Sequence, residues 1–198
     1  MVLPIPFFLT AALVLAGVAS AAPQAAMPLD SGASELHFVS VKEEHLAERH
    51  RFQKLSGRLY PSGRAVVTVD LTSVATGVTI RDQRMRDRLF QVDSQRRARL
   101  ETKVALDELD QLAVGAAVRR ELAAELSLNG HTREIRAKAL VVRRPEGGFL
   151  VVSRGPVLLD ARDFGLASGV TALSRMAGLG HISYAVPVSF LLAFKAPS

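Results

Sequence analysis

Beyond residue 34 the chain alternates apolar and polar side chains in short runs, the period of two expected of half-buried β-strands. Leu36, Phe38 and Ser40 share one parity against Glu35 and His37. Val67, Val69 and Leu71 repeat the pattern, and Ser73, Thr76 and Gly77 then supply turn chemistry. The last strand alternates most completely, with Ile182, Tyr184, Val186, Val188, Phe190, Leu192 and Phe194 on one side and Ser183, Pro187, Ser189 and Lys195 on the other. Pro187 has no N–H to donate, which predicts a bulge, a bend or an unpaired position there. Further strands are predicted over 148–153 and 156–160. Helical spacing is confined to Arg81–Phe90 and Thr171–Ala177. In the first, Ile80, Met85 and Leu89 are expected to share a face while Arg81, Arg84, Arg86 and Arg88 crowd the rest.

The clearest hairpin surrounds Asn129 and Gly130, a pair that favours a type I′ turn because both central residues need positive φ. A two-residue turn fixes the register, so residues whose numbers sum to 259 should face one another. Leu126 then meets Arg133, Ala124 meets Ile135, Leu122 meets Ala137 and Val118 meets Val141 on a mostly apolar face. On the other face Glu121 meets Lys138 and Ala123 meets Arg136, with Glu125 opposite Glu134 as the one unfavourable pair. Many strands, short turns and few helices predict an antiparallel sandwich or closed barrel.

The N-terminus reads as a cleavable secretory leader over 1–21: an apolar run from Phe7 to Val18, then the small residues Ala19, Ser20 and Ala21. The first six residues carry no Lys or Arg, and an uncleaved anchor is the alternative; Pro4, Pro6 and Gly17 weigh against it. Residues 22–33 read as a flexible linker and 34–198 as one domain. Cysteine is absent, which excludes a lipoprotein anchor, disulfides, thiol catalysis and thiolate metal sites. Lys and Arg number 25 against 19 Asp and Glu, a net charge of +6. No Trp and only two Tyr argue against nucleic acid; solvated surface is the simplest reading of the excess, and peripheral contact with an anionic membrane the sharper one.

Catalytic and metal patterns are missing. His45 and His50 stand near Glu48, but with four residues between them and a misplaced glutamate this is not the zinc-protease motif, and His37, His131 and His181 are scattered. No Gly-x-Ser-x-Gly, phosphate loop or dinucleotide glycine pattern occurs, so neither a reaction, a metal nor a cofactor is expected. Arg120 falls on the apolar parity of its strand, opposite Ala139. It either meets a ligand headgroup or lies at a rim beside a carboxylate; the rim is favoured. Arg81 and Asp82 more simply pair with one another to fix the loop after their strand than contact ligand.

Six pieces in order carry a resemblance to a known family. Ser34 to Phe38, Phe52 with Leu55 to Gly57, and Leu71 to Gly77 with Ile80 to Asp82 resemble the opening half of YceI-like domains. Leu126 to Arg133, Pro156 to Asp160 with Asp163 to Gly165, and Val186 to Phe190 resemble the closing half. One departure is Gln91 to Ala98, where family members usually carry a proline-containing segment.

The resemblance implies an all-β fold, an extended antiparallel lipocalin-like β-barrel of about eight strands with one or two short helices. It further implies periplasmic binding of a long isoprenoid lipid of the polyprenyl quinone or polyprenyl phosphate type. The tail is then expected against Phe38, Val69, Leu122, Leu126, Ile135, Tyr184, Val188 and Phe190, with Arg81 and Arg120 as headgroup candidates. Inward Ala124, Ala137 and Ala139 either leave room for it or merely taper the barrel. The alternative function is a cell-envelope interaction protein with a filled barrel that docks a redox or membrane partner through its basic face. A secreted hydrolase has no nucleophile to support it, and a homodimer stays open.

Overall fold

The computed structural model describes residues 25–43 and 45–197, so the predicted leader lies outside the described residues. The strands are β1 (Met27–Pro28), β2 (Glu35–Lys42), β3 (Leu46–Phe52), β4 (Leu55–Leu59), β5 (Arg64–Asp70), β6 (Val74–Ala75) and β7 (Arg97–Lys103), followed by β8 (Ala117–Leu128), β9 (His131–Arg143), β10 (Phe149–Ser153), β11 (Val157–Asp160) and β12 (Ala185–Phe194). They form one sheet in the order β1-β4-β5-β7-β8-β9-β10-β12-β2-β3-β6, with β11 also on β12.

Four of these are the halves of two longer, broken strands. Only Gln53 and Lys54 separate β3 from β4. β10 and β11 run in succession along β12, opposite Leu191–Phe194 and then Ala185–Val188. In the break, Phe190 N donates to Ser153 Oγ at 3.1 Å, which supplies the partner a ladder would have given. With each pair of halves joined and the two-residue β1 and β6 set aside, eight strands follow one another as an antiparallel meander. β12 returns to β2, where Val188 faces Phe38, and the sheet curls into the expected lipocalin-like barrel.

The hairpin register agrees with the sequence throughout, from Val118 opposite Val141 to Leu128 opposite His131. Asn129 and Gly130 both have positive φ, 51° and 76°, as the turn requires. Pro187 faces Leu158 of β11, but the ladder to β2 begins only at Val188, so its missing N–H is accommodated at the end of a ladder.

The ends of the barrel are closed differently. At one end α1 (Thr79–Arg84) continues into a π-helical turn (Met85–Phe90) that packs against α3 (Ala167–Met176). The contact is close because residue 169 is glycine: a Cβ there would stand 2.8 Å from Arg88 O and 2.9 Å from Leu89 Cα. Met85 and Leu89 are buried as expected, but Ile80 is exposed. Met85 stands five positions after Ile80, about 140° around an α-helix, so the two cannot share one face before the turn widens.

The other end carries α2 (Leu106–Asp110), which the pattern did not predict. Its Leu106 and Leu109 are buried, and two strand arginines hold it: Arg143 Nη1 donates to Asp110 at 2.5 Å and Arg120 Nη2 to Glu108 at 3.0 Å. The second half of the predicted linker is also built into the barrel. Met27 and Pro28 face Leu59 and Arg58, Asp30 N donates to Ala193 O at 2.8 Å, and Met27 is buried. Backbone pairing on both sides, together with the buried Met27, anchors this otherwise Pro/Ala-rich run.

Candidate binding cavity

Alternation turns one face of every strand inward, and eight strands enclose more volume than these side chains fill. A cavity of about 630 Å³ extends from the helical end to α2. That lies within the range of small-molecule sites. The room comes from Ala65, Ala98, Ala124 and Ala137, buried wall residues on neighbouring strands that face bulkier Leu, Val and Phe. Ala139 behaves differently: it is fully buried but does not line the space.

Seven of the eight wall residues proposed from sequence meet around this one cavity: Phe38, Val69, Leu122, Leu126, Ile135, Val188 and Phe190. Tyr184 is not among the lining residues. β12 begins only at Ala185, and Tyr184 lies before it, where its hydroxyl meets Thr171 Oγ1 at 3.3 Å and Arg162 sits over its ring. The parity was read back beyond the strand's start to Ile182, where alternation has ended: Ile182 and Ser183 both line the cavity and Tyr184 does not.

The two headgroup candidates stand at opposite ends. Arg120 lines the α2 end, half-exposed and paired with Glu108. Arg81 lines the helical end and is engaged on three sides: Nε donates to Thr76 Oγ1 and Nη2 to Thr76 O, both at 2.8 Å, and Nη1 to Glu48 at 2.6 Å. Asp82 accepts from Thr76 N at 2.7 Å and from its hydroxyl at 2.6 Å. Arg81 and Asp82 thus both clamp Thr76, each from its own side, rather than pairing with one another.

The sequence did not single out the polar group around Arg81. Lys42 also binds Glu48, and the bond to Lys42, with the Arg81 charge, holds the Glu48 carboxyl below its ordinary range. Next to it His50 is only 3% exposed, on the cavity wall, with Nε2 and Ser40 Oγ 2.8 Å apart. Burial, with Arg81 nearby, pushes the His50 pKa down, so the ring is neutral. Its Nδ1 is buried without a hydrogen-bond partner among the described residues. β3 carries Glu48, Arg49 and Arg51 around His50, so its alternation gave no sign that His50 and Phe52 face inward. Their position follows from pairing with β2, where Phe38 faces His50 and Leu36 faces Phe52.

Chemically, this is a long apolar enclosure with polar groups near its ends. Among the described residues no three metal-binding side chains cluster.

Comparison with known proteins agrees with this geometry. A family model described as a YceI-like domain matches residues 28–194. The chain is 38% identical to a polyisoprenoid binding domain from Saccharophagus degradans implicated in plant cell wall breakdown, with a TM-score of 0.85 over 87% of this chain and 99% of that one. BcnA of Burkholderia cenocepacia shares the fold at 14% identity, with a TM-score of 0.60 over 83% of this chain and 98% of the other. No curated protein matches the chain.

Proposed function

Because the chain belongs to the YceI-like family, we propose that it is a binding protein for a polyisoprenoid lipid, whose tail lies in the barrel cavity. The observation that carries this reading is the continuous apolar cavity of about 630 Å³. Support comes from the 38% identity to a polyisoprenoid binding domain over nearly its whole length. The physical driving force suffices without catalytic groups. Each buried methylene contributes about 0.8 kcal/mol, so enclosing ~10 carbons contributes roughly 8 kcal/mol before ordering costs.

The ligand is of the polyprenyl quinone or polyprenyl phosphate type, carried in the periplasm after cleavage of the leader, and the protein performs no reaction of its own. Its headgroup lies near the helical end, where Lys42, Arg81 and Ser40 join the wall. The competing reading required a barrel filled by side chains, which a cavity of this size disfavours.

Titration of the delipidated protein with a polyprenyl quinone, and separately with a polyprenyl phosphate, tests the reading. One ligand per barrel is the expected result for either, with little response to added salt for the uncharged quinone, since tail burial is not screened. No saturable uptake of either ligand would refute it.

A further inference from the structure

We propose that the helical end of the barrel is a docking face for the surface of an anionic phospholipid bilayer. Six large apolar side chains are exposed among the described residues, and four of them belong to this end: Leu46 at 50%, Val78 at 46%, Ile80 at 53% and Met176 at 42%. The other two are Val114, in the loop between α2 and β8, and Leu158, which points outward from β11.

Contacts tie the four to one rim. Leu46 faces Lys42 across the β2–β3 ladder, and Lys42 meets Glu48, which Arg81 also binds; Ile80 precedes Arg81, whose N–H donates to Val78 O at 3.0 Å. Arg84 Nη1 donates to Met176 O at 3.2 Å, joining the end of α1 to the end of α3. The loop after α3 is joined to the β2–β3 turn by Gly180 N, which donates to Glu43 at 2.6 Å. The cavity reaches the surface inside this ring, where Lys42, Arg81, Arg84 and the exposed Ala177 line it, as it also does at the α2 end beside Lys103 and Ala123.

Isolated exposed apolar residues are ordinary, but four around the mouth of a cavity are a surface with a purpose. Its charge selects the partner. Arg84, Arg88 and Arg175 have no acidic partner among the described residues, while of the acidic groups nearby Glu43, Glu48 and Asp82 are held by Gly180, by Lys42 and Arg81, and by Thr76. Among the described residues of this rim, Asp87 is the acidic group left to stand against the free arginines. Apolar tips set among arginines match an interface in which acyl chains lie beneath negative headgroups. The inference rests on the cavity as a lipid site in one respect: a ligand too insoluble to diffuse through water must be collected where a bilayer holds it, and this face puts the mouth there.

The absence of cysteine makes a local test direct, because a single introduced thiol can carry an environment-sensitive fluorophore. Ile80→Cys and Leu158→Cys are labelled and mixed with vesicles of phosphatidylglycerol and phosphatidylethanolamine, and with vesicles of phosphatidylcholine alone. The expected result is a blue shift, and quenching by spin-labelled lipid, at position 80 and not at 158. Partitioning should be at least roughly tenfold stronger on the anionic vesicles.

No response at position 80 overturns the proposal, as it would if the rim receives a protein instead or if the chain attaches only through its N-terminus. An equal response at both positions, or on both kinds of vesicle, overturns it too. Quinone uptake from detergent solution reads the cavity without any bilayer, so failure of docking and failure of lipid binding are separate results.

Discussion

Ser40 Oγ and His50 Nε2 lie 2.8 Å apart across β2 and β3, holding a buried imidazole on the wall of an apolar cavity. The sign of its effect on stability follows from its depressed pKa. Protons bind the unfolded chain first as pH falls through the ordinary histidine value of 6.5, while folded His50 stays neutral. Its contribution is therefore complete above that value and declines below it, until the lower folded pKa is passed. Urea unfolding between pH 5.5 and 7.5, a window above most carboxylates, should show wild type losing stability on acidification more steeply than His50→Gln. Parallel slopes would mean that His50 is not the titrating group.

Leu122 and Ala137 face each other across the central hairpin, and both line the cavity. Ala137→Phe should fill the space beside Leu122 and reduce affinity for a long-tailed quinone at least ~10-fold, while overpacking costs about 1–3 kcal/mol. Leu122→Arg, which places a charge among apolar walls, should abolish uptake. Retained uptake by a folded Leu122→Arg variant would remove that residue from the site.

Gly169 allows α3 to lie directly on the π-helical turn. Gly169→Ala should push the two apart and destabilise the helical end by about 1–3 kcal/mol, despite alanine's better helix propensity. Thermal unfolding with circular dichroism measures the cost; an unchanged or raised Tm would show that the contact relaxes freely.

Arg81 joins Glu48 to the loop at Thr76 through three hydrogen bonds, so Arg81→Ala should release that loop. A loss of about 1–3 kcal/mol is expected for a partly buried charged donor. Hydrogen exchange should accelerate for the amides of Thr76 and Asp82, whose N–H groups bond within this loop, with the β8–β9 hairpin unaffected.

What the sequence made legible was local. The β8–β9 register followed from Asn129 and Gly130 alone, and seven wall residues followed from parity within single strands. What it hid depends on pairings that a strand's own pattern does not show. β3 reads as charged surface until pairing with β2 turns His50 inward, and Arg81 joins Lys42 and Glu48 from a loop further along the chain. α2 is a five-residue helix held by Arg120 and Arg143, so its own sequence carried too little periodicity to show. Tyr184 was assigned the phase of a strand that begins only after it, and Ile80 stands five positions from Met85, too far round α1 to share its face.

The most direct test is to purify the protein without detergent, extract it with organic solvent and identify by mass spectrometry any lipid present in stoichiometric amount. A defined polyprenyl species at one per chain is the predicted result. A well-folded protein that yields no such lipid, and that fails to take up added polyprenyl quinone or phosphate, would contradict the assignment of the cavity to an isoprenoid.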